Sequence, residues 1–119
     1  MTTSRPLRVL VVEDEMMVAL LIEDMLADLG HQAVGPALRL DEALELARTE
    51  SFDAAMLDVN LGEAKSFAVA DILRQRKVPF FFATGYGVQG LSEAYRGAQT
   101  LEKPFGPADL QRALAAAAA

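Results

Sequence analysis

Short apolar runs alternate with amphipathic segments along the whole chain. The first run, residues 7–12, is rich in β-branched residues and ends at an acidic stretch, a pattern typical of a strand buried on both faces. Apolar residues then recur at helical spacing from Val18 to Leu29, and Gly30 favours the end of that helix. The same alternation predicts further strands at residues 32–34, 52–59, 78–83 and 100–102, and helix starts at Asp41, Ser66 and Pro107.

This order of elements predicts the fold class. Strands that alternate with helices in five units favour right-handed crossovers and a parallel sheet with helices on both faces, which is a doubly wound α/β fold. A glycine-dotted stretch with a poor helix follows the fourth strand. The length of 119 residues predicts one domain, residues 1–119, and no second domain. In such sheets ligands bind outside the carboxyl ends of the strands, so residues there are the first candidates for a site.

Composition narrows the possible functions. Asp and Glu outnumber Lys and Arg by 17 to 11, and the net charge of −6 argues against binding to nucleic acid. The absence of cysteine excludes disulfides and thiolate sites, and the single His31, expected in a turn, excludes a multi-histidine metal site. Apolar runs fall far short of the roughly 20 residues that span a bilayer, and acidic residues 13–15 exclude a secretory signal. We therefore expect a cytoplasmic protein with no membrane partner.

Polar and charged residues gather at the predicted strand ends. Glu13 and Asp14 close the first strand, Asp58 the third, Thr84 the fourth and Lys103 the fifth. Each alone has an ordinary explanation as a helix cap or a solvated side chain, but all are expected at one edge of the sheet. Carboxylates about 4 Å apart repel by on the order of 4 kcal/mol at an effective dielectric constant of about 20, which favours a bound cation. A site built from oxygen ligands suits Mg²⁺.

Asp58 is the candidate for a covalent step. The apolar residues 54–57 precede it and would fix its position at the edge of the sheet. A carboxylate can attack phosphorus and form an aspartyl phosphate. Phosphoryl transfer needs positioning and charge stabilisation, which Mg²⁺, the Lys103 ammonium and the Thr84 hydroxyl would supply. We interpret the cluster as a phosphate-processing site.

In order and spacing, these residues resemble the motifs of response-regulator receiver domains across essentially the whole chain. The resemblance rests on Glu13-Asp14, the segment Met56-Leu57-Asp58-Val59-Asn60-Leu61, Thr84 after an apolar strand, and Lys103-Pro104-Phe105. Residues 80–86, Phe-Phe-Phe-Ala-Thr-Gly-Tyr, further resemble the Phe-Ala-Thr-Gly subgroup of stand-alone receivers. The resemblance implies a flavodoxin-like sheet of strand order 2-1-3-4-5 and a role in a two-component phosphorelay.

The resemblance also implies roles for individual residues. The implied ligands of Mg²⁺, direct or through water, are Glu13, Asp14, Asp58 and the backbone carbonyl of Asn60. Asp58 would accept a phosphoryl group from a sensor histidine kinase or a phosphotransfer protein. Thr84 would donate a hydrogen bond to that group and Lys103 would pair with it. The protein would promote only its own phosphorylation and dephosphorylation, without acting as an enzyme on other substrates, and would signal to a downstream protein partner.

One position departs from the family pattern. Three residues before the lysine most members carry Tyr or Phe, whose inward movement reports phosphorylation, whereas this chain has Thr100. We expect switching to involve Thr100, Tyr86 and Pro104, and the resemblance implies a cis Lys103-Pro104 peptide. Glycines disfavour helix after the fourth strand, so residues 87–96 are expected to lack order until phosphorylation orders them into a partner-binding face.

Three other functions compete with this interpretation. Residues 85–90 match the Gly-x-Gly-x-x-Gly dinucleotide fingerprint, but they do not follow the first strand, only one short strand remains after them, and Glu102 at its end comes too early for the ribose-binding acid. Asp58-Val59-Asn60 is loosely similar to the Asp-x-Asp signature of aspartyl-phosphate phosphatases, but it lies on the third strand and position 60 has no carboxylate. A pseudo-receiver that only binds other proteins is the third alternative, and the full set of acids with lysine argues against it.

Overall fold

A computed structural model describes residues 5–85 and 90–118. In chain order the elements are β1 (Arg8–Val12), α1 (Met16–Asp28), β2 (Gln32–Ala37), α2 (Leu40–Thr49), β3 (Ala54–Asp58), β4 (Asn60–Leu61), β5 (Ala64–Lys65), α3 (Phe67–Arg76), β6 (Phe80–Thr84), a 3-10 turn (Glu93–Tyr95), β7 (Thr100–Glu102) and α4 (Pro107–Ala118). None of the described helices is long and apolar enough to cross a membrane. Tyr86, which was expected to take part in switching, and residues 87–89 of the segment expected to become ordered on phosphorylation lie outside the described residues.

Five parallel strands form the central sheet in the order β2-β1-β3-β6-β7. This arrangement confirms the predicted α/β class and the strand order 2-1-3-4-5. The chain passes from β1 to β2 on one side and then crosses to β3 on the other, so the strand order reverses between β1 and β3. A crevice forms at the carboxyl ends of these two strands, where α/β proteins bind ligands.

Successive strand residues face two apolar layers on opposite sides of the sheet. Val9 and Phe81 pack in the layer under α1 and α4, whereas Leu10 and Phe82 pack in the layer under α2 and α3. The rings of Phe81 and Phe82 therefore lie on opposite faces of the sheet. Every residue of β3 is buried, including Asp58 at its end. Burial of each large apolar side chain contributes about 1.5–3 kcal/mol, so this strand is a firm support for the site.

The strand β2 is longer than the sequence predicts. The predicted strand stops at Val34 because Gly35-Pro36 is a typical turn pair. In the structure the Gly35-Pro36 peptide is cis, Gly35 has a φ of +98°, and the strand continues to Ala37. The Ala37 carbonyl then accepts a hydrogen bond from the Glu13 amide at 3.0 Å. This extension of β2 therefore supports the first acidic residue of the site.

Two of the three predicted helix starts agree with the structure. α3 follows Ser66 and α4 begins at Pro107, as predicted, although the Ser66 hydroxyl makes no capping hydrogen bond. The prediction that Asp41 caps α2 is wrong, because Arg39 occupies the cap position and Asp41 lies in the first turn. There its Oδ1 accepts a hydrogen bond from the Glu42 amide at 2.8 Å, a local contact that sequence alone does not distinguish from a cap.

His31 lies in the turn between α1 and β2, as expected, but its side chain is buried and forms contacts that the sequence analysis did not predict. Its Nδ1 accepts a hydrogen bond from the Leu7 amide at 3.0 Å, and its Nε2 lies 3.2 Å from Gln111 Oε1 of α4. Only 8% of the residue is exposed. The imidazole thus joins the start of β1 to the last helix, a long-range contact with no local sequence signal.

The segment between β6 and β7 also differs from prediction. Its described residues 90–99 contain the 3-10 turn and no α-helix, so the predicted fourth helix is absent from this part of the chain. Residues 90–96 were expected to lack order, yet Leu91 and Tyr95 are buried. The Ala98 amide also donates to the Tyr95 carbonyl at 3.0 Å. Aromatic packing of Tyr95, which glycine content does not predict, accounts for the difference.

Candidate functional site

Three carboxylates from two strands converge at the switch point of the sheet. Glu13 and Asp14 directly follow β1, and Asp58 is the last residue of β3. One oxygen atom of each carboxylate lies within 4.8 Å of one oxygen of the other two. Glu13 is 1% exposed and Asp58 is 9% exposed, whereas Asp14 is partly exposed. The structure therefore assembles the predicted acidic cluster, with two of its members shielded from water.

Lys103 brings a positive charge into this cluster. It follows β7, and its Nζ lies 3.0 Å from Glu13 Oε1 and 3.4 Å from Asp58 Oδ2. Burial lowers the pKa of Lys103, but the hydrogen bond with Glu13 and the charges of Asp58 and Glu13 outweigh burial and raise that pKa above its usual value. Lys103 consequently stays protonated and offsets part of the negative charge of the three carboxylates.

The Asp58 carboxyl is held in an environment that disfavours its charge. Burial and the neighbouring Glu13 carboxylate raise the pKa of Asp58 to about 7, and Lys103 only partly opposes them. A buried carboxyl beside a like charge is expected to behave in this way. A divalent cation beside it would favour the ionised form, which is the form that can act as a nucleophile.

Backbone amides and neighbouring strand ends fix the rim of the cluster. The Glu15 amide donates to Glu13 Oε2 at 3.2 Å, and the Gly62 amide donates to Asp14 Oδ2 at 2.9 Å. Thr84 ends β6, one residue beyond the Ala83 that pairs with Asp58, and it is 2% exposed. The residue before α1 and the loop of the β4–β5 hairpin thus orient Glu13 and Asp14, and the buried end of β6 places Thr84 at the same edge of the sheet.

Residues 9–115 match the family described as the response regulator receiver domain. The chain belongs to this family. PhyR, the phyllosphere-induced regulator of Methylorubrum extorquens, is 32% identical over 113 residues, which cover 92% of this chain and 42% of PhyR. PdtaR, a transcriptional regulatory protein of Mycobacterium tuberculosis, is 33% identical over 109 residues, which cover 88% of this chain and 53% of PdtaR. The chain spans about half the length of these curated relatives.

A solved structure matches this receiver domain over its full length. The solution structure of SdrG from Sphingomonas melonis Fr1 is 38% identical and superposes with a TM-score of 0.85. The match covers 98% of this chain and 100% of SdrG. The predicted membership of the receiver family, and with it a role in two-component signalling, is therefore confirmed.

The donor set of this receiver domain fits a hard divalent cation. Three carboxylates supply only oxygen atoms, and a single lysine leaves their charge incompletely balanced. Mg²⁺ prefers such oxygen ligands and needs only a few from the protein. The Asn60 carbonyl, two residues beyond Asp58, belongs to β4 at the same edge of the sheet.

Thr100 and Pro104, two of the residues predicted to transmit the signal, lie in different places relative to the acidic cluster. Thr100 begins β7 and pairs with Phe82, two residues before Thr84, so it lies along the sheet below the site. Lys103-Pro104 is a cis peptide, as the family resemblance implies. Pro104 is exposed and lines a groove beside Lys103 rather than the acidic cluster itself.

The sequence analysis did not predict two features of the site. The first is the hairpin of β4 and β5, which pairs Asn60 with Lys65 and lets the Lys65 ammonium donate to Asn60 Oδ1. Gly62, with a φ of +64°, lies in its two-residue loop and is the signal that could have revealed it. The second is the buried Tyr95, whose partners are distant in sequence.

An apolar groove adjoins the acidic cluster. It has a volume of about 350 Å³ and lies between α1 and the segment after β7. Its lining includes Val18, Leu21, Ile22 and Met25 of α1, together with Lys103, Pro104 and Phe105. Four apolar residues of α1 are between 44% and 78% exposed, namely Met16, Met17, Leu20 and Leu21. Exposed apolar surface of this kind is typical of interaction sites and of ligand-binding grooves.

Proposed function

We propose that this receiver domain is a Mg²⁺-dependent phosphoacceptor. Asp58 takes a phosphoryl group from a phosphohistidine of a sensor histidine kinase or a phosphotransfer protein, and the change alters contacts with a downstream protein. The observation that carries the proposal is the convergence of three carboxylates with Lys103 at the switch point of the sheet. A structural salt bridge needs one carboxylate for one lysine, whereas this cluster holds more negative charge than Lys103 balances.

The bond changes follow from these positions. An Asp58 carboxylate oxygen attacks phosphorus, a new P–O bond forms, and the P–N bond to the donor imidazole breaks with its electron pair passing to nitrogen. Lys103, which is 3.4 Å from Asp58 Oδ2, then pairs with a phosphoryl oxygen. The Thr84 hydroxyl donates to another phosphoryl oxygen. Positioning and charge stabilisation of this kind account for most of the catalysis of phosphoryl transfer.

Mg²⁺ would be held by Glu13, Asp14, Asp58 and the Asn60 carbonyl. When bound, it supplies positive charge for the ionised carboxylate and for the phosphoryl oxygens. The raised pKa of Asp58 supports this role, because burial and Glu13 keep a substantial fraction of the carboxyl protonated near neutral pH, and an added cation would favour its ionised form. The chain itself contributes the orientation of Asp58 through the buried strand β3.

The phosphodonor protein would dock on the exposed face of α1. A phosphohistidine can reach Asp58 only if its protein covers the rim of the site, and the apolar groove borders that rim at Lys103. We propose a helical donor whose apolar side chains cover Leu21 and its neighbours. Apolar contacts at the centre of an interface with polar surroundings are typical of such complexes.

The phosphoacceptor role is tested by intact mass after incubation with acetyl phosphate and Mg²⁺. Wild type should gain one phosphoryl group and Asp58→Asn none. Asp53→Asn is the matched control, because Asp53 precedes the opposite end of β3 and binds the Arg8 amide at 2.8 Å. Undiminished labelling of Asp58→Asn would refute the assignment. Absence of labelling in wild type would favour a pseudo-receiver, and turnover of an added phosphoester would favour a phosphatase.

Donor docking is tested separately from the chemistry. Leu21→Arg should slow phosphoryl transfer from a cognate histidine kinase by about tenfold or more, since it places a charge at an apolar contact. Its labelling by acetyl phosphate, which needs no docking surface, should equal that of wild type. Ala27→Arg adds the same charge to an exposed residue of α1 that does not line the groove, and it should transfer normally. Equal kinase transfer by both variants would contradict the docking proposal.

A further inference from the structure

The turn between β6 and β7 is fastened to α3 by polar contacts. The Tyr95 hydroxyl donates a hydrogen bond to Asp71 Oδ1 of α3. The Arg74 guanidinium, also on α3, lies 4.0 Å from the centre of the Tyr95 ring, and its Nη2 donates to the Ala94 carbonyl at 3.3 Å. Three contacts thus join one helix to one short turn.

The same tyrosine is packed against the strand that carries Thr84. Its ring stacks on Phe67 with centroids 5.7 Å apart and meets Phe80 and Phe82 edge to face at 6.1 and 5.5 Å. Phe82 lies two residues before Thr84 in β6 and pairs with Thr100 of β7. Tyr95 therefore places an aromatic ring against Phe82, the strand neighbour of Thr100.

The phenol is suited to act as a persistent donor. Burial first, and then its hydrogen bond with Asp71, raise the pKa of Tyr95 to about 12. The hydroxyl therefore remains protonated throughout the physiological range. Hydrogen bonds to a charged acceptor are stronger than neutral ones, and the cation–π contact of Arg74 adds to the attachment.

We propose that Asp71, Arg74 and Tyr95 form a latch that holds the turn on α3 while Asp58 is a free carboxylate, and that phosphorylation of Asp58 opens it. The proposal rests on the proposed phosphoacceptor function. The Asp58 carboxylate is paired with Lys103 in the structure, so the latch contacts belong to the same arrangement as that pair. The proposed effect of phosphorylation, release of the turn from α3, is opposite to the expectation from sequence, in which phosphorylation would order this segment.

The route from the site to the latch is short. When Thr84 donates to a phosphoryl group on Asp58, the end of β6 shifts toward the site. The turn is connected to Thr84 through the following residues of the chain and touches Phe82 through the Tyr95 ring. Packed aromatic contacts adjust in discrete steps rather than continuously, so a small shift of β6 favours a second position of the turn.

The strength of the latch can be measured through its effect on ligand affinity. Contacts that exist in only one of two states oppose the other state, and weakening them raises the affinity of any ligand that selects the other state. Beryllofluoride with Mg²⁺ is a suitable probe because it mimics a phosphoryl group on a carboxylate. Loss of a hydrogen bond to a charged group should tighten its binding by roughly tenfold or more if the latch opens.

The experiment is a beryllofluoride titration with Mg²⁺, followed by amide NMR signals. Tyr95→Phe keeps the ring and loses the Asp71 bond, and Arg74→Met loses the cation–π contact and the bond to Ala94. Arg76→Met is the matched control, since Arg76 on the same helix lies 5.1 Å from the Phe52 ring and binds the Ala47 carbonyl at 2.5 Å. The first two variants should bind beryllofluoride more tightly than wild type and Arg76→Met should not.

Amide hydrogen exchange gives a second readout that a merely structural role would not change. Beryllofluoride should lower the protection of residues 91–98 in wild type, and Tyr95→Phe should show that lower protection before addition. Equal or weaker affinity in both latch variants relative to Arg76→Met, or unchanged protection of residues 91–98, would overturn the latch. Failure of wild type to bind beryllofluoride would instead overturn the proposed phosphoacceptor function, and the latch with it.

Discussion

At the scale of single residues, Asp58 lies between one charge that disfavours its ionisation and one that favours it. Glu13 and burial raise its pKa to about 7, while Lys103 opposes them. Between its ordinary value of 3.8 and about 7, the unfolded chain has lost the proton and the folded chain retains it. The contribution of Asp58 to the free energy of unfolding should therefore fall as pH rises through this interval and stay constant above it.

Replacing Asp58 by Asn removes this dependence. The substitution is nearly isosteric, and at pH 8 without divalent cations it should stabilise the protein by about 1–3 kcal/mol because the unfavourable charge is gone. At pH 4 the two proteins should be close in stability. Urea unfolding in the presence of a chelator at both pH values measures the difference. If the two proteins differed in stability by the same amount at pH 4 and pH 8, the pH dependence could not be assigned to the Asp58 carboxyl.

At the scale of elements, the continuation of β2 to Ala37 depends on one glycine. Gly35 has a φ of +98°, and a Cβ there would lie 2.8 Å from the Ala37 amide nitrogen and 3.3 Å from the Val11 carbonyl oxygen. Gly30 also has a positive φ of +88°, but nothing lies within 4 Å of its Cβ position. Comparison of alanine substitutions at Gly30 and Gly35 therefore separates the cost of backbone strain from the cost of steric overlap.

Gly35→Ala should therefore destabilise the protein far more than Gly30→Ala. The second change carries only the conformational cost of about 1 kcal/mol for a left-handed position, whereas the first adds overlap with backbone atoms that cannot move away cheaply. We expect Gly35→Ala to cost about 3 kcal/mol or more. Thermal unfolding of both variants compares them directly, and similar losses would show that β2 adapts at Gly35.

The connection of β1 to α4 gives a second test at this scale. His31→Leu leaves the Leu7 amide without its acceptor in a buried position, at a cost of about 1–3 kcal/mol. Gln111→Leu removes the other partner of the imidazole. Because Gln111 is partly exposed, this change should lower the free energy of unfolding by less. Urea unfolding measures both. If Gln111→Leu proved the more damaging change, the hydrogen bond to Leu7 would not be the contact that matters.

These elements also show how far the sequence could predict the fold. Runs with clear periodicity, such as Val18 to Leu29 or the strand ending at Asp58, were placed correctly because local pattern and burial agree. The end of β2 was missed because Gly35-Pro36 has the local signature of a turn. The turn at Tyr95 was missed because its order comes from Asp71, Arg74 and three phenylalanine rings, and such tertiary contacts have no local signature.

At the scale of the whole molecule, the sheet topology explains why the acidic cluster and Lys103 were predictable. Their strand ends are distant in sequence, yet parallel strands place every carboxyl end at one edge. The side-chain geometry was not predictable, because the distances among Glu13, Asp58 and Lys103 depend on strand register and on neighbours such as Ala37. The net charge of −6 adds to the local field that attracts a cation.

Binding of Mg²⁺ should therefore stabilise the entire domain. A ligand that binds only the folded state at about one hundred times its Kd adds about 2.7 kcal/mol, which for a domain of 119 residues raises the melting temperature by roughly 10 °C. Asp14→Asn removes a ligand without disturbing the pair of Lys103 with Glu13, so most of this rise should disappear. Asp53→Asn, at the opposite end of the sheet, should keep it. A wild-type melting temperature indifferent to Mg²⁺, or an equal rise in Asp14→Asn, would contradict a metal site at Glu13, Asp14 and Asp58.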